Sequence, residues 1–340
     1  MKRLFYFLTL LFIVCSFIAQ ATVIRVNNRE SSVPEENTYD NLAEAYNKAE
    51  SNDTLHIEGS PDEYGGLTLT KPLTVIGPGY FLTENDQLQT VEQVASTREF
   101  SFEPGSEGSI IAGITFNQNT PYSRISISTN DIKISGCYFK YPVLFGRGTF
   151  ENIIISQCFF PSTAIAINHV VYTRPFINFY FANNIVRGNF SIPDGSSGTI
   201  INNVFVGDVF NVGTTSSLQI HNNVLLSTDD EKIVVPSLGS NISYNIASLK
   251  TFGTDNGNQA DILASQVFLQ QGSTDGQWKI KVDGVAAGAG RDGYDVGAFG
   301  GPDPYRLSGV PSIPRITDLS TDGYVTEEGE LLIEIQVTAN

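Results

Sequence analysis

The sequence predicts an all-β fold, a single-stranded parallel β-helix (solenoid) with a short N-terminal capping helix and a short C-terminal β tail. A six-residue phrase recurs about once every twenty residues along most of the chain. One position of that phrase is repeatedly asparagine, a residue that favours tight bends. The composition, with 31 glycines and a single methionine, is typical of strands and turns rather than of helices.

The first element is a predicted secretory signal peptide over residues 1–21. Lys2 and Arg3 precede an almost entirely apolar run, and small residues follow at 19 and 21. Cys15 falls inside this run and is interpreted as part of the signal. The next element is a predicted helix with the apolar pattern Leu42, Ala45, Tyr46 and Ala49. Thr38 and Asp40 are its candidate N-caps, and the helix is expected to close the bottom of the coil stack.

The repeated phrase reads apolar, any residue, two turn residues, a variable residue and a bulky apolar residue. Its clearest copies begin at Ile134, Ile155, Phe181, Ile200, Ile220 and Ile242. Weaker copies begin at Ile57, Ile76 and Ile111. Successive copies are 19 to 26 residues apart, except for one step of 35 that contains a polar insertion at residues 84–98. Such a period indicates repeats that bury their apolar faces only against their neighbours.

The sequence signature and the period exclude two other repeat architectures, one each. A leucine-rich repeat has a similar period, but its Leu-x-x-Leu-x-Leu signature is absent, and a propeller blade is about twice as long. In a parallel coil stack, equivalent residues lie about 4.8 Å apart along the axis. First and sixth positions then face inward, and the expected sixth-position column is Phe81, Phe116, Phe139, Phe160, Val186, Phe205 and Leu225.

The fourth position of the phrase is the most informative one. It is occupied by Cys137, Cys158, Asn184, Asn203, Asn223 and Asn245. Asparagine tolerates the unusual backbone angles of a bend, and stacked amides can donate to one neighbour and accept from the other. Ordinary surface turns of an antiparallel protein are the alternative, which four asparagines in register argue against. The two cysteines are expected to be adjacent and within disulfide range, bridged or not.

The remaining elements complete a division into three parts. Residues 22–301 are predicted to form the β-helix domain together with its N-terminal cap. Residues 302–340 form a connector, which contains four prolines up to residue 314, and one or two late strands around residues 331–337.

The phrase and its asparagines resemble the right-handed parallel β-helix proteins of the pectate-lyase-like superfold. Residues 42–57 resemble their capping helix and first strand. Residues 292–309 resemble the closing segment of a group of exported bacterial members that is non-catalytic. The resemblance covers nearly all of residues 22–315 and implies a right-handed coil. It implies no particular activity, since this superfold includes enzymes, adhesins and inert scaffolds.

The charge argues against some partners. Of 20 basic residues, removal of Lys2 and Arg3 leaves 18 against 36 acidic ones, a net charge of about −18. Nucleic acid and anionic membrane surfaces favour clustered lysine and arginine, so neither is an expected partner. After signal cleavage no run reaches the roughly 18–20 apolar residues of a membrane span.

The search for chemistry yields few candidates. Arg187, Asp208, Asp229 and Asp230 fall at similar phases of successive coils and form the best catalytic constellation, with soluble polar turns as the alternative. The three histidines, His56, His169 and His221, are expected on surfaces or turns. No cofactor is predicted; residues 255–258 and 291–294 offer oxygen ligands for calcium, but their Asn-Gly and Asp-Gly pairs favour ordinary turns. An outward Tyr180 is a candidate for stacking on a sugar ring, and so is Trp278, for which packing in a core or cap is the favoured alternative.

Two outward rows of residues flank the first position of the phrase, and only one carboxylate occurs among their eighteen positions. A polysaccharide lyase or hydrolase needs carboxylates on adjacent coils. The first hypothesis is therefore an exported, non-catalytic surface or matrix protein that contacts glycans. The second is a polysaccharide lyase or glycoside hydrolase, and the third an adhesin whose last strands engage an envelope component. The expected location is periplasmic, outer-surface or extracellular, and the expected partner is a polysaccharide or an envelope component.

Overall fold

Parallel strands stacked coil upon coil make up most of the structure, a computed structural model that describes residues 21–29, 36–117, 124–167, 173–207, 209–235, 241–325 and 329–339. Within these residues the chain forms a parallel β-solenoid with two short α-helices and a C-terminal antiparallel hairpin. The predicted all-β coil stack is therefore confirmed. The predicted signal peptide lies outside the described residues, apart from residue 21.

The coils contribute strands to three main sheets. Sheet 1 comprises Val23–Val26, Thr54–Ile57, Thr74–Ile76, Ile110–Ala112, Lys133–Ser135, Ile154–Ser156, Phe179–Ala182, Ser197–Ile201, Ser217–His221 and Asn241–Ser243, with Thr38–Tyr39 at its edge. Sheet 2 comprises Thr115–Phe116, Tyr138–Phe139, Phe159–Phe160, Ile185–Val186, Val204–Phe205, Val224–Leu225 and Ile246–Ala247. Sheet 3 comprises Leu67–Leu69, Phe100–Phe102, Ile125–Ile127, Val143–Phe145 and Ile165–Ile167.

Smaller elements complete the coils. Later coils form a three-stranded sheet of Phe190–Ile192, Phe210–Val212 and Ile233–Val234, and Gly148–Glu151 pairs with Thr173–Ile177. Single 3-10 turns occur at Leu82–Glu84, Asp86–Leu88, Asp230–Lys232, Gly276–Trp278, Arg291–Gly293 and Leu307–Gly309.

The strand register confirms the period of the phrase and corrects its first two copies. From Ile111 to Ile242 the expected first positions pair in one column. In the two earlier coils that column passes through Leu55 and Val75 instead of Ile57 and Ile76. Ile57 is still buried, because it lies two residues after Leu55 on the same side of its strand. Ile76 is on the outward side, where the neighbouring Val75 made the phase of this strand ambiguous in the sequence.

Phenylalanine rings stack along the axis inside the coils. The ring centroids of Phe116 and Phe139 are 5.1 Å apart, and those of Phe139 and Phe160 are 5.0 Å apart. Each fully buried ring stabilises the fold by about 2–3 kcal/mol. Phe81 was expected at the start of this column but does not lie in it, because its φ of 49° turns the chain outward. Its ring packs edge-on against Tyr138, on the outer surface of sheet 2.

Both ends of the stack are covered. The helix Leu42–Lys48 begins after Asn41, whose Oδ1 accepts hydrogen bonds from the backbone N–H groups of Ala43 and Glu44 at 2.9 and 3.1 Å. Asn41 is thus the N-cap instead of Thr38 or Asp40, because Thr38 belongs to the edge strand of sheet 1. The helix buries Leu42 and Ala45 in the core. At the other end, Phe252 packs into the same core.

After the last coil the chain turns back along the outside of sheet 2. This segment, residues 262–310, is called the strap and contains the short helix Ala264–Val267. It starts near the last coil, where the N–H of Ile262 donates to the carbonyl of Ala247. It ends near an early coil, where the N–H of Tyr80 donates to the carbonyl of Ser308. The strap therefore runs nearly the whole length of the stack.

The C-terminal tail is a two-stranded antiparallel hairpin of Arg315–Val325 and Leu331–Thr338. This confirms the predicted β tail. The register places Leu319 opposite Ile335 and Thr321 opposite Ile333 on one side of the hairpin. Ile333, Ile335 and Val337 are each more than half exposed.

Candidate functional site

The bend between sheets 1 and 2 uses two neighbouring positions of the phrase for different purposes. The third position adopts left-handed backbone angles, with φ between 54° and 58° at Asn183, Asn202 and Asn222. The fourth-position asparagines are absent from the residues with positive φ. The expectation that the fourth residue tolerates the bend is thus corrected: the third residue makes the bend. The fourth contributes its side chain.

The fourth-position amides form a continuous hydrogen-bonded ladder inside this bend. Asn203 Nδ2 donates to Asn223 Oδ1 at 2.9 Å, and Asn203 Oδ1 accepts from Asn184 Nδ2 at 3.0 Å. The pattern continues through Asn245, which donates to Asn258 Oδ1 at 3.1 Å. Each of these side chains is buried. Asn258 is a rung that the period did not reveal, because it follows Asn245 after only thirteen residues.

The two cysteines continue the ladder towards the N-terminus. The N–H of Cys158 donates to Asn184 Oδ1 at 2.9 Å, and the N–H of Cys137 lies 3.5 Å from Cys158 Sγ. Their expected adjacency is therefore confirmed, and both are free thiols in the structure. Burial raises the pKa of Cys158 well above its ordinary value, so this thiol stays protonated at neutral pH.

The third-position side chains point the other way and hold the strap. Asn183 Nδ2 donates to the carbonyls of Ala298 and Gly300 at 2.9 and 2.8 Å. Asn222 Oδ1 accepts from the N–H of Arg291 at 2.8 Å. One coil below Asn183, Gln157 Nε2 donates to Asp303 Oδ1 at 2.8 Å. The sequence contained a signal for this contact, namely polar residues repeated at a third position that has no place in the core.

A buried polar cluster fixes the far end of the strap. Asp275 is fully buried, and its carboxylate accepts hydrogen bonds from Asn85 Nδ2, the Tyr305 hydroxyl and the N–H of Ser308. The Tyr305 hydroxyl also bonds to that of Tyr80. Burial, followed by the nearby Asp275 charge, raises the pKa of Tyr80 well above its ordinary value. The cluster joins the early coils, the insertion and the strap.

The strap closes the outer surface of sheet 2 to ligands. Outward Phe159, Ile185, Val204, Val224 and Ile246 form one apolar cluster with strap residues such as Phe268 and Trp278. Trp278 is 9% exposed, and its ring packs edge-on against Phe268 at 5.3 Å. Packing in a core or cap, the favoured alternative for Trp278, is therefore confirmed over stacking on a sugar.

The outward side of sheet 1 carries two long rows of residues. With the corrected register, one outward row is Thr54, Thr74, Ile110, Lys133, Ile154, Tyr180, Thr199, Gln219 and Asn241. The other is His56, Ile76, Ala112, Ser135, Ser156, Ala182, Ile201, His221 and Ser243. Neither row contains a carboxylate, since Glu58 falls outside both rows once the register is corrected.

The first of these rows is partly or fully exposed along its whole length. Tyr180 is 41% exposed, and burial together with the charge of Asp303 raises its pKa. Its hydroxyl is thus a neutral donor and acceptor at ordinary pH. The second row lies next to the bend that the strap contacts. Four of its residues are buried, namely Ser156, Ala182, His221 and Ser243.

The predicted acidic constellation is only partly visible. Asp208 lies outside the described residues, and Arg187 is exposed at the end of sheet 2. Asp229 caps a 3-10 turn, accepts from the N–H of Glu231 and pairs with Lys232 at 2.7 Å. These contacts, first that with Lys232, lower the pKa of Asp229. Asp230 lies 3.4 Å from the Thr251 hydroxyl. No ion pair joins Arg187 to Asp229 or Asp230.

The two segments suggested for calcium are turns. Asn258 donates to the carbonyls of Asp255 and Phe252 while serving as a ladder rung. Residues 291–294 form a 3-10 turn of the strap, in which Asp292 has a φ of 60°. In the part of the chain that the structure describes, no group of three or more histidine, cysteine or acidic side chains is arranged to hold a metal.

The histidines are less uniform than expected. His169 lies outside the described residues. His221 is only 8% exposed, because the strap covers its end of the second row, and burial lowers its pKa. This corrects the expected surface position. His56 is half-buried in a cleft near the N-terminal end of sheet 1.

That cleft has a volume of about 320 Å³. Its floor is the outward side of the first strands, with Arg25, Arg29, His56 and Glu58. One wall is the insertion segment around Val91, and the other is the connector, whose lining begins at Val310. The C-terminal hairpin that follows the connector is tied to the insertion, because the N–H of Thr90 donates to the carbonyl of Ile316 at 3.0 Å. Residues distant in sequence thus form one concave surface.

The cleft is positively charged within an acidic chain. Arg25 is neutralised by Glu58, to which its Nε donates at 2.8 Å. Arg29 donates instead to the carbonyl of Gly59, and Arg315 Nε donates to the carbonyl of Leu88 at 2.9 Å. Burial lowers the pKa of His56; the nearby Glu58 carboxylate opposes this shift in part, and the Arg25 charge adds to it.

Comparison of the chain with family models, with curated proteins and with solved structures found no match. Neither helix in the described ranges has the length and apolar composition of a membrane span.

Proposed function

We propose that the chain is an exported, non-catalytic β-helix protein of the pectate-lyase-like superfold that contacts glycans along sheet 1 at a cell surface or in a matrix. The observation that carries this proposal is the composition of the two outward rows. Nine successive coils place no carboxylate on either row of sheet 1. Glycan cleavage by acid and base groups requires a positioned carboxylate pair or an equivalent.

The uncovered row suits contact with an extended polymer. Strand spacing of about 4.8 Å over nine coils gives a surface roughly 40 Å long. Thr199, Gln219 and Asn241 offer hydroxyl and amide groups on consecutive coils, next to the exposed ring of Tyr180. Hydrogen-bonding groups beside an amphipathic ring are suited to sugar hydroxyls and the faces of sugar rings.

The charge favours a neutral polymer over an acidic one. Lys133 is the one formally charged side chain of the uncovered row, while the mature chain carries about −18 overall. An acidic polysaccharide would meet long-range repulsion at low ionic strength. We therefore expect binding to neutral glucans to exceed binding to polygalacturonate or alginate.

The competing function is a polysaccharide lyase or a glycoside hydrolase. Mature protein is incubated with polygalacturonate, alginate and neutral plant glucans, with and without calcium. The expected result is no release of unsaturated or reducing ends, and no change in the paired variant Asp208→Asn with Asp229→Asn. If the wild type releases such ends and the paired variant does not, the protein is an enzyme and the non-catalytic proposal is wrong.

A further inference from the structure

The cleft at the N-terminal end of sheet 1 differs in chemistry from the rest of the molecule. We propose that it binds a small amphiphilic carboxylate, a ligand with one anionic head and an aliphatic body, and that it does so independently of any glycan on sheet 1. The contrast between its cationic floor and its apolar walls supports this ligand class.

The cationic groups define the head of the ligand. Arg29 Nε and Nη2 donate to the carbonyl of Gly59 and to Gln93 Oε1, both neutral oxygens. Arg315 donates to a carbonyl as well, and its Nη1 is buried without an acceptor. No carboxylate among the described residues pairs with either guanidinium. A ligand carboxylate in the cleft would supply the anionic partner that these two guanidinium groups lack among the described residues.

The walls define the body of the ligand. Val91 and Ile316 face the cleft and are 42% and 40% exposed, while Val310, Pro311 and Ile313 complete an aliphatic surface. None of the described lining residues is a phenylalanine, tyrosine or tryptophan. Sugar sites gain much of their affinity from rings stacked on aromatic side chains, so this cleft is poorly suited to a saccharide. An alkyl chain needs only apolar contact area.

The size limits the ligand to a small molecule. A volume of about 320 Å³ lies at the low end of the range of roughly 300–1,000 Å³ for small-molecule sites. Convergent polar groups at one end of an apolar cavity are the usual arrangement that orients such a ligand. The head would lie between Arg29 and Arg315, with the chain along the connector.

The test is calorimetric titration of the mature full chain with decanoate, decanol, glucuronate and decyl sulfate. We expect one site for decanoate, binding at least about 10-fold weaker for decanol, and no binding for glucuronate, because only decanoate has both a charge and an apolar body. Decyl sulfate distinguishes a need for carboxylate geometry from a need for any anionic head. Equal affinity for decanoate and decanol, or tighter binding of glucuronate, would overturn the proposal.

Variants locate the site. Arg29→Gln and Arg315→Gln are each expected to weaken decanoate binding by at least about 10-fold. Val91→Asp, at a wall position exposed enough to tolerate the change, should abolish it. Arg187→Gln, an exposed arginine on a distant coil, is the matched control and should leave affinity unchanged. Unchanged binding in folded Arg29→Gln and Val91→Asp proteins would place the ligand elsewhere and end the proposal.

Discussion

At the bends of three successive coils, two adjacent asparagines have different roles and different surroundings. Asn202 has the left-handed backbone and lies beneath the strap, whereas Asn203 has ordinary angles and an amide inside the ladder. Asparagine suits the first position because its short polar side chain offsets part of the cost of positive φ. It suits the second because one amide both donates and accepts. The second role could be predicted correctly from the sequence. The bend was assigned to the fourth position instead of the third, because both positions are asparagine.

Replacing a ladder rung tests the second role. Asn203→Leu is expected to lower the free energy of unfolding by about 2–4 kcal/mol, because the N–H of Asn184 and the carbonyl of Phe181 both lose buried partners. Chemical denaturation measures the change. The control is Asn211→Leu, at an exposed strand position. Similar losses at the two positions would show that the ladder adds nothing beyond ordinary strand contacts.

Because two phenols are buried, we expect the free energy of unfolding to depend on pH in the alkaline range. The pKa values of Tyr80 and Tyr305 are raised well above their ordinary value, mainly by burial. Because these folded-state pKa values are raised, the stabilisation from the neutral phenols is fully present below about pH 10 and is lost as the pH rises above it. We expect the unfolding free energy to fall by up to about 1.4 kcal/mol per pH unit for each phenol.

The matched variants for this prediction are Tyr80→Phe and Tyr294→Phe, the latter on an exposed side chain. Denaturation curves at about pH 9, 10 and 11 are compared. Tyr80→Phe should reduce the steepness of the loss, and Tyr294→Phe should leave it unchanged. A wild-type stability that stays constant across this range would contradict the burial of the two phenols.

Among the larger elements, the coils could be predicted and the strap could not. A coil repeats one phrase, so its inward residues stand out at a fixed period even when one strand is out of phase, as with Val75 and Ile76. The strap has no period of its own, because each part of it meets a different coil through a different contact. Asn183 donates to two backbone carbonyls of the strap, and such contacts cannot be predicted from the side chains of the strap residues.

The strap contact has its own test. Asn183→Gly keeps the left-handed backbone but removes the two hydrogen bonds to Ala298 and Gly300. Amide hydrogen exchange over residues 285–305 is expected to speed up, while exchange in sheet 3 stays the same, because only the strap loses partners. Asn178→Gly is the control, since Asn178 has the same backbone angles at an exposed position. Equal exchange in the two variants would mean that the strap is held by its apolar cluster alone.

At the scale of the whole molecule, the strap and the coils together determine which surfaces can bind. The strap buries the outer side of sheet 2, whereas one outward row of sheet 1 is partly or fully exposed along its length and is the surface proposed for a long polymer. The near absence of acids from that face could be predicted from the sequence, because each coil places the same two positions there. The cleft could not, because it joins residues from Arg25 to Ile316.

The central claim is that the chain binds a glycan on sheet 1 without cutting it. One measurement tests both parts: sedimentation of the mature protein with an insoluble neutral glucan, with reducing ends assayed in the same supernatant. We expect the protein to sediment with the glucan and release no reducing ends. Tyr180→Ala should weaken the association several-fold, by about 1 kcal/mol or more, whereas Tyr294→Ala should not. Reducing ends that rise with protein concentration, or sedimentation unaffected by Tyr180→Ala, would contradict the account.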